Sequence, residues 1–197
     1  MDEQFTIIGR ERAHDGFLQL DVCQVRQRRF DGALSPVLER EILVQADCVG
    51  ILLYDPAADA VVLVEQARLP ALLRGYPAIQ AEIVAGRLEP GETAIDVARR
   101  EVAEETGCVL QGEPELITTS LTSPGYNLEQ FHLFYAAIDS TKAGGIHGVA
   151  AEHEDIRVLV LPYDEFRQRQ ADGCINNVFT LYAGLWLDLN RARLRGG

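Results

Sequence analysis

The stretch 86–108, GRLEPGETAIDVARREVAEETGC, carries the pattern that decides the fold. From Thr93 onward its apolar residues recur with helical spacing, and Gly107 follows the last of them. Glycine is common just after a helix because it adopts the left-handed backbone conformation without strain. The apolar stripe consists of Ile95, Ala98, Val102 and Ala103. The spacing therefore predicts a helix between Thr93 and Gly107.

The predicted helix carries a cluster of carboxylates. Glu101 and Glu105 lie four residues apart on one face, and Glu104 lies beside them. Like charges at this spacing repel each other, so the cluster needs a counter-charge, of which Arg100 can supply only part. Oxygen ligands on a rigid helix suit Mg²⁺ or Mn²⁺. From this segment alone, the alternatives are a divalent-cation site and an acidic helix face exposed to water.

Alternating apolar residues on both sides of this helix predict strands. Before the helix, strand-like runs around the turn DGALSP indicate a small antiparallel sheet over residues 1–45, and CVGILLYD and AVVLVEQARL form a hairpin around DPAAD. After the helix, ELITTSL and EQFHLFYAAI are joined by the turn SPGYN, and the strand IRVLVL follows. The patterns then predict a short helix from about Pro162 to Gly173 and an amphipathic helix from about Ile175 to Arg193. This order predicts an α+β protein or a helix–sheet–helix sandwich, with domains over residues 1–45 and 46–197.

The composition is that of an acidic globular protein. The 197 residues include 18 Lys+Arg and 30 Asp+Glu, a net charge of −12 at pH 7. Because no basic tract is present, we expect neither a nucleic acid nor an anionic membrane surface as the main partner. The start of the chain lacks a secretory signal and no segment approaches a membrane span, so we expect a cytoplasmic protein. The dispersed cysteines, without metal-site spacing, predict reduced and mostly buried thiols.

The spacing of the whole stretch resembles the signature of the Nudix hydrolases. The matching identities are Gly86, Glu92, Arg100, Glu101, Glu104, Glu105 and Gly107, with Val102 at an aliphatic position. Cys108 replaces the usual final aliphatic residue, which bears on packing rather than on catalysis. The resemblance implies the Nudix fold, an α/β/α sandwich around a mixed sheet, here with a small N-terminal antiparallel β-domain. It also implies that the loop 86–92 positions the helix carboxylates against the diphosphate of a nucleoside diphosphate derivative.

A second segment, GIHGVAAEHEDIRV at 145–158, looks very like the catalytic loop of the bacterial ADP-ribose pyrophosphatases within that family. By this resemblance Glu152 is the general base and Glu154 binds metal. From the residues alone, the glycines permit a mobile loop whose acids swing over a metal site, and the alternative is a disordered surface loop. Pro124 stands where the subgroup tends to have proline, and we assign it to substrate binding.

The same resemblance implies roles for several other residues. VEQARLP resembles a strand whose arginine, here Arg68, contacts a substrate phosphate, and AEIVAG resembles the strand that enters the signature. The implied metal ligands are the Ala85 carbonyl and the carboxylates of Glu101, Glu105 and Glu154. Glu82 supports the site, while Glu104 and Arg100 complete the metal shell and orient the helix.

The N-terminal segments RRFDG and REIL also resemble the subgroup, in which this domain packs across a homodimer and helps to hold adenine. The residue type favours core packing for Phe30, with stacking on adenine as its candidate functional role, and Arg40 is a further candidate substrate contact. The resemblance therefore implies a homodimer.

The reaction implied by the resemblance is hydrolysis of ADP-ribose to AMP and ribose 5-phosphate, with Mg²⁺ as the cofactor and Mn²⁺ as a substitute. Residues 82–105 carry seven acidic residues against three arginines, so an anionic substrate would be repelled without a metal ion. The alternatives are another substrate, such as GDP-mannose or NADH, and a non-catalytic nucleotide-sensing module. The second alternative is disfavoured because every carboxylate of the signature is present.

Overall fold

The N-terminal strands form a three-stranded antiparallel sheet with β2 in the centre. In the computed structural model, which describes residues 4–196, they are β1 (Phe5–Asp15), β2 (Gln19–Gln27) and β3 (Leu38–Val44). Asp21 on β2 is buried and accepts hydrogen bonds from Arg10 and Arg12 on β1. These charge-assisted bonds across the strands favour the observed register.

The first compact unit combines the described residues up to Asp47 with the segment 120–131. Backbone hydrogen bonds hold that segment to the end of β3: Leu43 N donates to Tyr126 O at 2.7 Å, and Leu128 N donates to Leu43 O at 3.1 Å. The sequence patterns had assigned 120–131 to the second domain. A contact between segments so distant in the chain depends on tertiary packing, which local periodicity does not report.

The second unit, residues 48–119 and 132–196, is built around an eight-stranded sheet. Its strands are β4 (Cys48–Asp55), β5 (Ala60–Ala67), β6 (Ile79–Glu82), β7 (Val84–Arg87), β8 (Glu115–Leu121), β9 (Gln130–Ala137), β10 (Ile146–His147) and β11 (Ile156–Pro162). Their order is β10–β11–β5–β4–β9–β8, with β6 paired to β5 and β7 paired to β4. The predicted hairpin of β4 and β5 is confirmed and lies in the middle of the sheet.

Four α-helices accompany this sheet: α1 (Leu69–Leu73), α2 (Ala94–Thr106), α3 (Tyr163–Ala171) and α4 (Val178–Arg195). Helix α2 agrees with its prediction, because Thr93 and Asp96 form a capping box at its start and Gly107 ends it in the left-handed conformation. The predicted start of α4 near Ile175 is wrong. The side chain of Asn177 accepts a hydrogen bond from Thr180 N at 2.9 Å and caps the helix there.

Both faces of β4 and β5 are buried, which explains their nearly continuous apolar sequences. On one face, Ile51 and Val62 belong to a core that also contains Val97 and Val102 of α2. Because side chains alternate along a strand, Leu52 and Leu63 point to the opposite face. The predicted α+β class with a small N-terminal antiparallel sheet is confirmed. No helix within residues 4–196 has the length and apolar character required to cross a bilayer.

Candidate active site

Helix α2 presents two buried carboxylates, Glu101 and Glu105, whose residues are only 8% and 2% exposed. Strand β7 approaches this face closely: a Cβ added at Gly86 would lie 1.7 Å from Glu101 Oε1, so a side chain there cannot be accommodated without displacing Glu101. The next residue back, Ala85, donates its backbone N–H to Glu105 Oε2 at 3.3 Å. The glycine that opens the signature therefore lets the strand and the acidic helix face pack together.

Arg100 connects the signature loop to the helix. Its guanidinium donates to Glu92 at 3.0 and 3.2 Å and to Glu101 and Glu104 at 2.6 and 3.1 Å. These contacts hold the pKa of the Glu92 carboxyl below its ordinary value and raise the pKa of Arg100. The arginine thus fixes the position of the loop while neutralising part of the carboxylate charge. The predicted role of Arg100 and Glu104 in completing the metal shell and orienting the helix stays a prediction.

Positive charge does not fully balance the buried carboxylates. Burial, followed by the charges of Glu101 and Glu154, raises the pKa of Glu105 to about 8. Burial also raises the pKa of Glu101, although Arg100 opposes that shift. Two acids whose ionised forms are disfavoured in this way are stabilised by a cation placed between them.

The loop before β11 carries two further glutamates, Glu152 and Glu154. A 3₁₀ turn spans Ala150–Glu152, and Glu154 Oε2 accepts a hydrogen bond from Val149 N at 3.0 Å. The charge of Glu154 contributes to the raised pKa of both Glu101 and Glu105. Glu152 is exposed on the same loop. The structure therefore holds the Glu154 carboxylate against the backbone of its own loop and leaves Glu152 accessible to a bound molecule.

A cleft of about 590 Å³ lies within the second unit, and Arg68, Glu152 and Glu154 line it. Arg68 donates from Nε to Glu82 Oε2 at 2.9 Å, so Glu82 orients the arginine that the sequence assigned to substrate phosphate. The position of Arg68 on the cleft and the supporting position of Glu82 agree with those assignments, while the phosphate contact stays a prediction.

The cleft also contains a charged pair that sequence reasoning missed. Arg157 on β11 donates to Glu65 Oε2 on β5 at 2.7 Å, and the two residues are direct partners in the strand register. The signal available in the sequence is the position of Arg157, which closely follows the acidic loop, residues 148–155. Its partner Glu65 could not be identified, because the pairing of β5 with β11 is not a local feature.

The donors near α2 fit a hard divalent cation chemically. Glu101, Glu105 and Glu154 offer only oxygen atoms, the ligands that Mg²⁺ and Mn²⁺ prefer, and the first two are buried with raised pKa values. Across residues 4–196, no three His, Cys, Asp or Glu side chains already converge tightly enough to hold a metal ion. Glu154 is instead turned toward Val149 N. Metal ligation by Glu101, Glu105, Glu154 and the Ala85 carbonyl stays a prediction.

Three predicted substrate contacts belong to the first unit. Phe30 is fully exposed, so the alternative that it packs in the core is wrong. Arg40 is exposed and donates to Glu39 O at 2.9 Å, and Pro124 lies in an exposed turn. Their predicted contacts with substrate stay predictions.

Comparison with known proteins identifies the family to which this chain belongs. The NUDIX domain family matches residues 44–179, more than half of the chain. An ADP-ribose pyrophosphatase of Escherichia coli strain K12 is 38% identical over 189 residues, covering 96% of this chain and 90% of that protein. An ADP-ribose pyrophosphatase of Haemophilus influenzae is 35% identical over 198 residues, covering 98% and 90%.

Two further proteins are similar to this chain at lower sequence identity. A GDP-mannose pyrophosphatase of Cronobacter sakazakii is 31% identical over 159 residues, which are 80% of this chain and 79% of that protein. A solved structure described as an ADP compounds hydrolase has a TM-score of 0.75 at 16% identity, covering 98% of this chain and 97% of that chain. The structural similarity shows that the two chains share a fold.

Proposed function

Because this chain belongs to the Nudix family and is a pyrophosphohydrolase by that membership, we propose that its reaction is the hydrolysis of ADP-ribose to AMP and ribose 5-phosphate. The observation that carries the proposal is the buried pair Glu101 and Glu105 on α2, whose pKa values are raised by burial and by the charge of Glu154; Glu154 itself lines the cleft together with Arg68. The choice of ADP-ribose rests on the named relatives, whose similarity extends over nearly the whole chain.

The proposed cofactor is Mg²⁺, with Mn²⁺ as a substitute. Glu101, Glu105, Glu154 and the Ala85 carbonyl would hold it, and Arg100 and Glu104 would keep these ligands in place. When bound, a divalent cation neutralises the diphosphate and makes its phosphorus more electrophilic. The family membership and the oxygen-only donor set support this assignment.

The remaining steps belong to side chains of the cleft. Arg68, already oriented by Glu82, binds a diphosphate oxygen through its planar guanidinium. The carboxylate of Glu152 accepts a proton from the attacking water, whose oxygen forms a bond to phosphorus. The bridging P–O bond breaks, and the two products leave as AMP and ribose 5-phosphate. The exposure of Glu152 on the cleft is compatible with this role.

We also propose a homodimer in which the N-terminal unit contributes Phe30, Arg40 and Pro124 to substrate binding. The supporting observation is the apolar surface of that unit. Its exposed large apolar residues include Phe5, Ile7, Ile8, Phe17, Leu18, Leu34 and Val37. Exposed apolar residues on the strands and loops of so small a unit favour burial against another chain.

The second candidate substrate is GDP-mannose, favoured by the similarity to the GDP-mannose pyrophosphatase. Measuring kcat/KM for ADP-ribose, GDP-mannose and NADH under identical Mg²⁺ concentrations separates the candidates. We expect ADP-ribose to have the highest value; a tenfold preference corresponds to only about 1.4 kcal/mol. Equal or better hydrolysis of GDP-mannose would refute the substrate assignment and leave the family assignment intact.

A further inference from the structure

The segment before the acidic loop is fastened to the C-terminal turn of α2. Gly148 N donates to Glu104 O at 3.2 Å, which satisfies a carbonyl that the end of a helix otherwise leaves without an intrahelical partner. On the other side of the same turn, Cys108 Sγ lies 3.6 Å from Lys142 O. The first and last residues of the segment 142–148 therefore both contact the C-terminal end of α2 or the residue that follows Gly107.

His147 lies at the centre of this attachment. A Cβ added at Gly107 would lie 2.6 Å from His147 Cε1, so the imidazole occupies the space directly beside the helix-ending glycine. The other edge of the ring is fixed by a 2.8 Å hydrogen bond between His147 Nε2 and Gly144 O. A carbonyl oxygen can only accept a hydrogen bond, so Nε2 carries the proton. The ring thus fills one specific space and donates one specific hydrogen bond.

The position of this segment determines the position of Glu154. Val149, two residues after His147, donates its N–H to Glu154 Oε2 at 3.0 Å and accepts a hydrogen bond from Glu154 N at 3.4 Å. A shift of the backbone at 147–149 therefore shifts the Glu154 carboxylate. The chain of contacts runs from the end of α2 through His147 to Glu154.

We propose that His147 is a positioning residue that acts through Glu154: it attaches the acidic loop to the end of α2 and thereby fixes the Glu154 carboxylate through its hydrogen bond with Val149. This inference rests on the proposed function, because it assigns Glu154 a task in the same site. His147 itself need not touch substrate or metal. Its contribution lies in the Gly107 contact and in the hydrogen bond to Gly144.

Two substitutions separate the shape of His147 from its hydrogen bond. His147→Gln retains an amide N–H at a similar distance along the side chain, whereas His147→Leu removes the donor. We expect His147→Leu to lower kcat for ADP-ribose about 10- to 100-fold with KM changed less than about twofold, since a misplaced catalytic group costs rate. His147→Gln should recover most of that loss. His132→Leu, on β9 outside the cleft, is the matched control and should retain wild-type kcat.

Two measurements without substrate test the same inference independently of turnover. Hydrogen exchange of 146–154 should accelerate in His147→Leu and stay near wild type in His147→Gln. Mn²⁺ affinity, measured by electron paramagnetic resonance of the protein and Mn²⁺ alone, should weaken in His147→Leu to about the level of Glu154→Gln. Unchanged exchange and unchanged Mn²⁺ affinity in His147→Leu would overturn the proposal. If His147→Leu does not fold, His147→Asn, whose shorter side chain also loses the bond to Gly144, replaces it in every arm.

A double-mutant cycle tests whether His147 acts through Glu154. If His147 acts through Glu154, adding His147→Leu to Glu154→Gln should lower neither kcat nor Mn²⁺ affinity further. Full additivity of the two substitutions would refute action through Glu154. A wild-type protein that binds Mn²⁺ but does not hydrolyse ADP-ribose would refute the proposed function alone, since the exchange and Mn²⁺ measurements would still decide the role of His147.

Discussion

At the scale of single residues, the site depends on the placement of charge in a confined space. Glu105 is nearly inaccessible and accepts one backbone hydrogen bond from Ala85, while Arg100 interacts with Glu92, Glu101 and Glu104. The helix therefore presents a carboxylate whose negative charge is poorly compensated by protein groups. Such a carboxylate can bind a cation, and without one its buried charge lowers the free energy of unfolding.

Glu105→Gln should strongly reduce turnover with little loss of folding, because it preserves the side-chain shape and deletes the charge of a proposed metal ligand. We expect kcat for ADP-ribose to fall at least about 100-fold while the thermal unfolding midpoint in EDTA does not decrease. Glu113→Gln, which alters an exposed ion pair with Arg99, is the matched control. An unchanged rate in Glu105→Gln would show that this carboxylate is not part of the reaction.

The same residue should make the metal-free protein less stable as pH rises from about 4.5 to about 8. The pKa of Glu105 rises from its ordinary value of 4.5 to about 8 in the folded protein, so the unfolded chain loses this proton first as pH increases. Stability is then lost between about pH 4.5 and pH 8. In EDTA, the free energy of unfolding of Glu105→Gln should exceed that of wild type by on the order of 1–4 kcal/mol at pH 8.

Denaturant unfolding at several pH values checks this expectation. The difference between the two proteins should vanish near pH 4.5, and added Mg²⁺ should stabilise wild type more than Glu105→Gln. A difference that stays constant with pH would mean that Glu105 ionises at its ordinary pKa.

At the scale of elements, the acidic loop carries two glutamates whose proposed roles in the reaction differ and can be distinguished by mutation. Glu152 is exposed on the cleft, whereas Glu154 is held by Val149 and interacts with the helix carboxylates. We expect Glu152→Gln to lower kcat about 10²- to 10⁴-fold with a nearly unchanged Mg²⁺ requirement. Glu154→Gln should lower kcat and also raise the Mg²⁺ concentration needed for half-maximal activity.

Titration of Mg²⁺ against initial rate for both variants decides between these roles. The opposite pattern would exchange the two assignments. Wild-type turnover in both variants would remove the loop from the mechanism.

The elements also show what sequence patterns can and cannot reveal. Helix α2 was predictable because its apolar period and Gly107 are local features. The start of α4 was misplaced because Ile175 is buried and apolar and so resembles the first turn of the helix that follows. Helix α1 was missed because its five residues, LPALL, continue the apolar run of the preceding strand.

The split between β6 and β7 was missed for a different reason. Only Ile83 separates the two strands in the chain, yet β6 pairs with β5 and β7 pairs with β4. A change of partner depends on the arrangement of the whole sheet. The site residues were predictable to the extent that their spacing is local, which holds for the carboxylates of α2 and fails for the pair of Glu65 and Arg157.

At the scale of the whole molecule, the exposed apolar surface of the N-terminal unit predicts self-association. Light scattering at micromolar protein concentration should give twice the chain mass of 21.8 kDa. Substituting Ile7 and Ile8 together by threonine should weaken the dimer and lower activity if that unit contributes to the substrate site. A fully active wild-type monomer would contradict both the dimer and its role in binding.

The most direct test of the central claim is the product balance of ADP-ribose hydrolysis by the wild-type protein. With Mg²⁺, we predict one AMP and one ribose 5-phosphate for each ADP-ribose consumed, no turnover in excess EDTA, and recovery when Mg²⁺ is restored. Turnover that persists in EDTA would contradict the metal-dependent mechanism, and release of other products, such as ADP and ribose, would contradict cleavage of the diphosphate.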